Sequence, residues 1–194
     1  MTAPILHLAS ASPRRREILA ALGIPITHGG ADIDESRHEG EAVEDMAQRL
    51  AREKALAASS SLPVLAADTL VVLGDEVFGK PTSGEHAHGM LSALSGRDHR
   101  VLTGVAVRRG EDLWTAMTDT TVRFRDIRPD EIEAYWQSGE PAGKAGAYAI
   151  QGLGGVFVEA VEGSYSGVVG LPVFETAALL QKVGIDVIGG TDGQ

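Results

Sequence analysis

A chain of 194 residues, 43% hydrophobic and 23% charged, has the length and composition of one soluble globular domain, or of one domain folded as two lobes. Its net charge of −10 argues against a broad nucleic-acid-binding or anionic-membrane surface, because such surfaces carry an excess of basic residues. The absence of cysteine excludes disulfides, thiolate metal sites and cysteine nucleophiles. With neither a membrane-length apolar segment nor a signal-peptide pattern, the sequence predicts a cytoplasmic protein without a membrane partner.

The first predicted element is a strand that runs directly into a helix. A short apolar run over 5–8 supplies the strand, Ser12 is a suitable N-cap, and Pro13 is a suitable first helical residue. Three arginines, 14–16, then occupy the first turn, where the helix dipole disfavours cations. Together with the free backbone N–H groups and the hydroxyls of Ser10 and Ser12, they predict a phosphate site. The alternative is an exposed turn whose arginines are solvated.

Acidic residues follow the second predicted strand. The stretch 31–35 holds three carboxylates in four residues, which favours a solvated loop but could also hold a metal ion. A long helix is predicted over 41–60, with Lys54 in the middle of its apolar stripe and Arg49 and Arg52 well off it. A lysine at that position either extends to the edge of the buried face or directs its ammonium at an anion in a cleft.

The next strand is a near-continuous apolar run over 62–73, typical of a strand buried on both faces. Asp68 and Thr69 interrupt its centre. A buried carboxylate is costly unless it is paired, hydrogen-bonded or bound to metal, so Asp68 is a candidate metal ligand or general base, with a structural aspartate as the alternative. A hairpin is predicted over 74–78, and the loop after it presents Lys80 before a proline.

The remaining chain predicts helices and short strands around a glycine-rich region. The predicted helices cover 82–95, 129–138 and 172–183, and the predicted strands cover 99–107, 113–124, 156–161 and 165–169. Nine glycines between 139 and 170 favour tight turns or a close approach of backbone to a ligand. These elements predict one α/β domain over 1–194 with a mixed β-sheet, bent into two lobes around a central cleft, and a disordered tail from about residue 188.

Eight sequence segments, in this order, resemble the Maf-like nucleoside triphosphate pyrophosphatases. They are LASASPRRREIL, DIDE, AREKA, AADTLVV, GKP, LSGRDHRVLTGV, EPAGKAGAYAIQGLGGVFV and GSYSGVVGLPVFET. The resemblance implies a Maf/ITPase-like fold, usually dimeric. It also implies hydrolysis of a nucleoside triphosphate between the α- and β-phosphates, giving the monophosphate and pyrophosphate. The implied cofactor is a divalent metal ion: Mg²⁺, Mn²⁺ or Co²⁺.

The resemblance also implies roles for individual residues. The implied catalytic residues are Glu35, Lys54, Asp68 and Lys80, with Glu35 and Asp68 as metal ligands. The implied substrate-binding residues are Ser10, Arg14, Arg15, Thr69 and Gln151. Of these, Arg14, Thr69 and Gln151 match the group of the family that acts on dTTP and UTP. The amide of Gln151 could read a pyrimidine edge because it offers both a donor and an acceptor. Which carboxylate acts as the base stays open.

Three alternatives remain at this stage. The family's older description as a septum-formation inhibitor keeps open a nucleotide-binding regulator of cell division without turnover. A second is the same hydrolysis on 7-methyl-GTP, and a third is a nucleotide-binding module whose partner subunit performs the chemistry. The presence of Lys54, Asp68 and Lys80 favours the enzyme, because a pure binding module has no need of that set.

Overall fold

The computed structural model describes residues 3–189. The strands are β1 (Leu6–Ala9), β2 (Ile26–Gly29), β3 (Val64–Leu73), β4 (Glu76–Phe78), β5 (Asp98–Arg109), β6 (Asp112–Phe124) and β7 (Val158–Glu162). The helices are α1 (Pro13–Ala21), α2 (Val43–Ala57), α3 (Gly84–Leu94), α4 (Pro129–Gln137), α5 (Tyr165–Val169) and α6 (Val173–Lys182), with 3-10 helices over Ala145–Ala147 and Leu153–Phe157. Of the predicted disordered tail, residues 190–194 lie outside the described residues. No described helix is long and apolar enough to span a bilayer.

The described strands form one sheet of seven strands in the order β2-β1-β3-β5-β6-β7, with β4 paired to β3. The pairs β1–β2 and β1–β3 are parallel, whereas β3–β4 and β6–β7 are antiparallel. The predicted α/β class with a mixed sheet is therefore confirmed. The hairpin between β3 and β4 turns at Gly74, whose φ of +64° lies in the region that glycine tolerates best.

The chain divides into two compact units, each built from separate stretches of sequence. The first contains the described residues up to Asp68, together with Thr103–Thr118 and those from Gly170 onward. The second contains Thr69–Leu102 and Asp119–Val169. The predictions of a single domain and of two lobes around a central cleft stay predictions.

The core of the first unit has a leucine-rich part and a part made of small residues. The leucine-rich part draws on β1, β3, β5, α1 and α6, and includes Leu6, Leu8, Leu19, Leu65, Val105, Leu171 and Leu180. The other part consists mainly of alanines: Ala9, Ala51, Ala55, Val64, Ala66 and Ala106. Small side chains let α2 lie close to the sheet. At Gly104 of β5 an added Cβ would stand 2.2 Å from the carbonyl oxygen of Ala47.

Two local predictions are wrong. The segment Tyr165–Val169 is helix α5 and not a strand. Its first turn is closed by Ser164, whose Oγ accepts a hydrogen bond from the backbone N–H of Gly167 at 3.0 Å, and this local bond outweighs the strand propensity of Val and Tyr. The helix predicted over 41–60 is shorter at both ends and covers Val43–Ala57. Glu41 lies before it and forms an ion pair with the buried Arg49.

Candidate functional site

Lys54 is the centre of a charged cluster in the first unit. Its Nζ lies 2.5 Å from Asp68 Oδ1 and 2.6 Å from Glu35 Oε1. The side chains of Lys54 and Asp68 are 11% and 10% exposed, whereas that of Glu35 is 54% exposed. The ammonium therefore meets two anions from within the apolar stripe of α2 and does not extend to its edge. The carboxylate in the middle of β3 is paired, as the cost of burying it requires.

The two carboxylates fit the divalent ion that the resemblance implies. Because both contact one ammonium, their contacting oxygens cannot be further apart than the sum of the two contact distances. Carboxylate oxygens are the ligands that Mg²⁺ prefers, and Mg²⁺ commonly takes one or two of them and completes its shell with water and phosphate. Within residues 3–189, no group of three or more His, Asp or Glu side chains could hold a metal ion.

Arg15 and Ser10 stabilise the connection between β1 and α1 by hydrogen bonds. The buried guanidinium of Arg15 donates from Nε to the carbonyl oxygen of Gly170 at 2.8 Å and from Nη1 to Ser10 Oγ at 3.0 Å. The backbone N–H of Ser12 donates to the same hydroxyl oxygen at 3.2 Å. Burial lowers the pKa of Arg15, and the negative charge of Asp68 opposes this effect. The junction is thus held by the side chains that the sequence marks as anion-binding.

The three consecutive arginines of α1 have different surroundings. Arg15 is buried, Arg14 is half-buried, and Arg16 places Nη1 3.1 Å from His28 Nε2. Successive helical residues point about 100° apart, so the three side chains leave α1 in different directions. Ser12 occupies the N-cap, but within the described chain its side chain makes no capping hydrogen bond, and the first turn holds no acidic residue. The start of α1 keeps the positive electrostatic character that the sequence predicts.

Arg49 is a buried residue of this unit that the sequence interpretation placed off the apolar stripe. It is 9% exposed, and it donates to both carboxylate oxygens of Glu41 at 2.5 and 2.9 Å. Its Nη2 also donates to the carbonyl oxygen of Ser36 at 2.9 Å. The hydrogen bonds from Arg49 hold the pKa of Glu41 at about 2. Because Ser36 directly follows Glu35, this ion pair fixes the loop that brings Glu35 to Lys54.

Three of the predicted site residues belong to the second unit. Thr69 directly follows Asp68 in β3 and is half-buried. Lys80 is exposed after β4, and the carbonyl oxygen of the preceding Gly79 accepts the backbone N–H of Gly146 at 3.1 Å. Gln151 is exposed in the turn before the second 3-10 helix. Their roles stay predictions. So do those of the residues that the first unit brings together: Ser10, Arg14, Arg15, Glu35, Lys54 and Asp68.

Comparison with known proteins identifies the family. The sequence model described as Maf-like protein matches residues 5–183. A dTTP/UTP pyrophosphatase of Methylococcus capsulatus is 53% identical over 184 residues, covering 93% of this chain and 91% of the relative. One of Myxococcus xanthus is 55% identical over 184 residues, covering 93% of each chain. One of Hahella chejuensis is 51% identical over 188 residues, covering 94% of each. The chain belongs to the Maf-like protein family.

Proposed function

We propose that the protein is a nucleoside triphosphate pyrophosphatase that hydrolyses dTTP and UTP to the monophosphate and pyrophosphate. The observation that carries the proposal is the cluster of Lys54, Asp68 and Glu35, which places a cation and two metal-ligand groups together in one unit. Relatives about half identical over nearly the whole chain carry the name dTTP/UTP pyrophosphatase, which supports this substrate class. Family membership and these similar relatives support the reaction, and the cluster supports the means of performing it.

The proposed chemistry needs neutralised phosphates and an oriented water. A divalent ion held by Glu35 and Asp68 would neutralise phosphate charge and polarise phosphoryl oxygens. The ammonium of Lys54 orients both carboxylates before any ligand binds, and it can contact a phosphate oxygen from the same position. The water oxygen attacks the α-phosphorus and bonds to it while one of the two carboxylates accepts its proton. The bond from the α-phosphorus to the bridging oxygen breaks, and pyrophosphate leaves with that oxygen. Arg14 and Lys80 are proposed to bind the phosphates, and Gln151 the base.

The proposal also includes features that the fold does not test. We infer a homodimer and a cytoplasmic location from the resemblance, and Mg²⁺ as the metal ion, with Mn²⁺ or Co²⁺ able to replace it. Sedimentation equilibrium of the purified chain tests the dimer. The alternative roles, a septum-formation regulator without turnover and a 7-methyl-GTP pyrophosphatase, are outcomes of the assay described next.

The testing experiment measures pyrophosphate release with Mg²⁺ from dTTP, UTP, CTP, GTP, ATP and 7-methyl-GTP. Asp68→Asn is the test variant, and Asp112→Asn, at an exposed carboxylate beginning β6, is the matched control. We expect release from dTTP and UTP that falls by at least about 100-fold in Asp68→Asn and is unchanged in the control. Release mainly from 7-methyl-GTP would overturn the pyrimidine preference. No release from any nucleotide would overturn the enzyme and favour the regulator.

A further inference from the structure

Glu140 accepts hydrogen bonds from the backbone on the C-terminal side of the turn that carries Gln151. Its Oε2 accepts the backbone N–H of Leu153 at 2.9 Å, and its Oε1 accepts the backbone N–H of Gly154 at 2.9 Å. The same Oε1 accepts the hydroxyl proton of Tyr135 at 2.7 Å. One carboxylate thus accepts three hydrogen bonds, two of them from backbone N–H groups shortly after Gln151.

Tyr135 accepts a hydrogen bond from the backbone on the N-terminal side of the same turn. Its hydroxyl oxygen accepts the backbone N–H of Ala149 at 3.1 Å while its proton goes to Glu140. The tyrosine ring is buried in α4 and packs edge-on against Phe157, with 5.2 Å between ring centroids. Gln151 is therefore exposed at the apex of a segment whose two ends are tied to one pair of side chains.

The packing around this pair leaves room for glycine alone at two positions. A Cβ at Gly152 would stand 2.2 Å from Glu140 Oε2, and one at Gly154 would stand 2.6 Å from the Tyr135 hydroxyl. Any other residue there would displace the carboxylate or the phenol. Two of the glycines that the sequence offers as turn formers are thus also required for close contact with this pair.

The protonation states suit these hydrogen bonds. Burial acts to raise the pKa of Glu140, but the hydrogen bonds from Gly154, Tyr135 and Leu153 outweigh it, so its pKa lies below the usual value. Burial raises the pKa of Tyr135, and its hydrogen bond to Glu140 adds to that effect. At neutral pH the carboxylate is an acceptor only and the phenol keeps its proton, as the contacts require.

We propose that Glu140, acting with Tyr135, is a positioning residue that sets the placement of Gln151 and thereby the preference for pyrimidine nucleotides. The inference rests on the proposed function, because Gln151 selects a base only if the protein acts on nucleotides. Glu140 itself touches no reacting atom in this role. It acts through the backbone of the turn, and binding of the base depends on it more than the hydrolytic step does.

The test variant is Glu140→Gln, which keeps the shape and removes one acceptor. An amide has one oxygen and one NH₂ group, so at least one of the three donors would then face a donor. Glu133→Gln is the matched control, because Glu133 is exposed in α4, the helix that carries Tyr135, and its Oε1 accepts a hydrogen bond from Gln137 of the same helix. Tyr135→Phe is the second variant, should Glu140→Gln fold poorly.

The kinetic measurement separates positioning from general damage. For Glu140→Gln we expect the KM for dTTP to rise by about tenfold, the kcat to change by less than about twofold, and the preference for dTTP over GTP to fall by about tenfold. Adding Glu140→Gln to Gln151→Ala should lower kcat/KM for dTTP by less than about twofold further. A loss of the same size in both backgrounds, or an unchanged nucleotide preference, would overturn the positioning role.

Hydrogen exchange provides a readout that does not depend on activity. In Glu140→Gln the backbone amides of Leu153 and Gly154 should exchange at least about tenfold faster, while amides of α2 keep their protection. Unchanged exchange at both amides would overturn the inference. A wild-type protein that releases no pyrophosphate from dTTP would instead overturn the proposed function. An active wild type with faster exchange but unchanged preference would overturn the inference alone.

Discussion

Acidification is expected to destabilise the protein through one buried histidine. His99, at the start of β5, is 2% exposed, and its ring packs edge-on against Phe124 and Tyr148 at centroid distances of 4.8 and 5.5 Å. Its Nε2 lies 2.9 Å from the Tyr148 hydroxyl. Burial lowers the pKa of His99 from 6.5 to about 4, against the smaller opposing effects of Asp98 and the backbone of Arg97. The folded state therefore holds this imidazole neutral.

The sign and size of the effect follow from proton linkage. Below its ordinary pKa of 6.5 the unfolded chain binds a proton at His99, whereas the folded chain does not until the pH nears 4. The stabilisation is fully present above about pH 6.5 and declines as the pH falls toward 4, at about 1.4 kcal/mol per pH unit. Between about pH 7.5 and pH 5 the free energy of unfolding should therefore fall by about 2 kcal/mol from this residue.

Urea denaturation at several pH values tests this expectation. The pH dependence of His99→Gln should be shallower than that of the wild type by about 2 kcal/mol over this range, whatever the absolute stability of the variant. Proton NMR of the His99 ring gives its pKa directly. Parallel pH profiles for wild type and His99→Gln, or an NMR pKa near 6.5, would refute the reasoning.

Three further perturbations have defined outcomes. Gly104→Ala should lower the free energy of unfolding by about 3 kcal/mol in urea denaturation, because its Cβ would stand 2.2 Å from the Ala47 carbonyl oxygen. Gly89→Ala, in an exposed position of α3 with open space around it, should raise the free energy of unfolding by about 0.5–1 kcal/mol. If both substitutions changed the stability equally, α2 would not approach β5 as closely as the structure shows. Lys54→Met should lower the free energy of unfolding by about 3 kcal/mol, because it leaves the buried carboxylate of Asp68 without its partner. A stability equal to that of Lys182→Met, at an exposed lysine, would contradict this. EDTA should abolish pyrophosphate release and Mg²⁺ restore it, and activity that survives chelation would refute the metal proposal.

Strong local signals made much of the fold predictable. Continuous apolar character marked β3, and a proline at the first helical position marked the start of α1. Helix α5 could not be identified in this way. It has five residues, too few for a 3.6-residue period to emerge, and its start depends on one hydroxyl of Ser164. A serine marks a helix start in the sequence only when a periodic segment follows it, as one does after Ser12 and none does after Ser164.

Some residues of the candidate site could be predicted from the sequence and others could not. Lys54 could be singled out because helical periodicity placed a cation on an apolar face, where it needs an anion. Arg49 could not be, because its partner Glu41 precedes the helix and the pair forms only when the loop folds back. Glu140 lies in one of the segments that resemble the family, but its role could not be predicted. Its hydrogen bonds to Leu153 and Gly154 link parts of the chain with irregular backbone, which have no periodic sequence pattern.

A buried ammonium between two carboxylates gives the first unit an electrostatic arrangement that exists before any substrate binds. A single buried charge is costly, so the ammonium of Lys54 and the carboxylate of Asp68 stabilise each other. The hydrogen bond from Arg49 to the carbonyl oxygen of Ser36 keeps the neighbouring Glu35 beside Lys54. Groups already oriented would need little reorganisation on binding the triphosphate and the divalent ion of the proposed reaction. The surrounding charge of the chain is −10, so an anionic substrate gains nothing from the surface at large. Recognition is then expected to rest on a few local cations, of which Lys54 is held by two carboxylates and Arg15 by the hydroxyl of Ser10 and the carbonyl oxygen of Gly170.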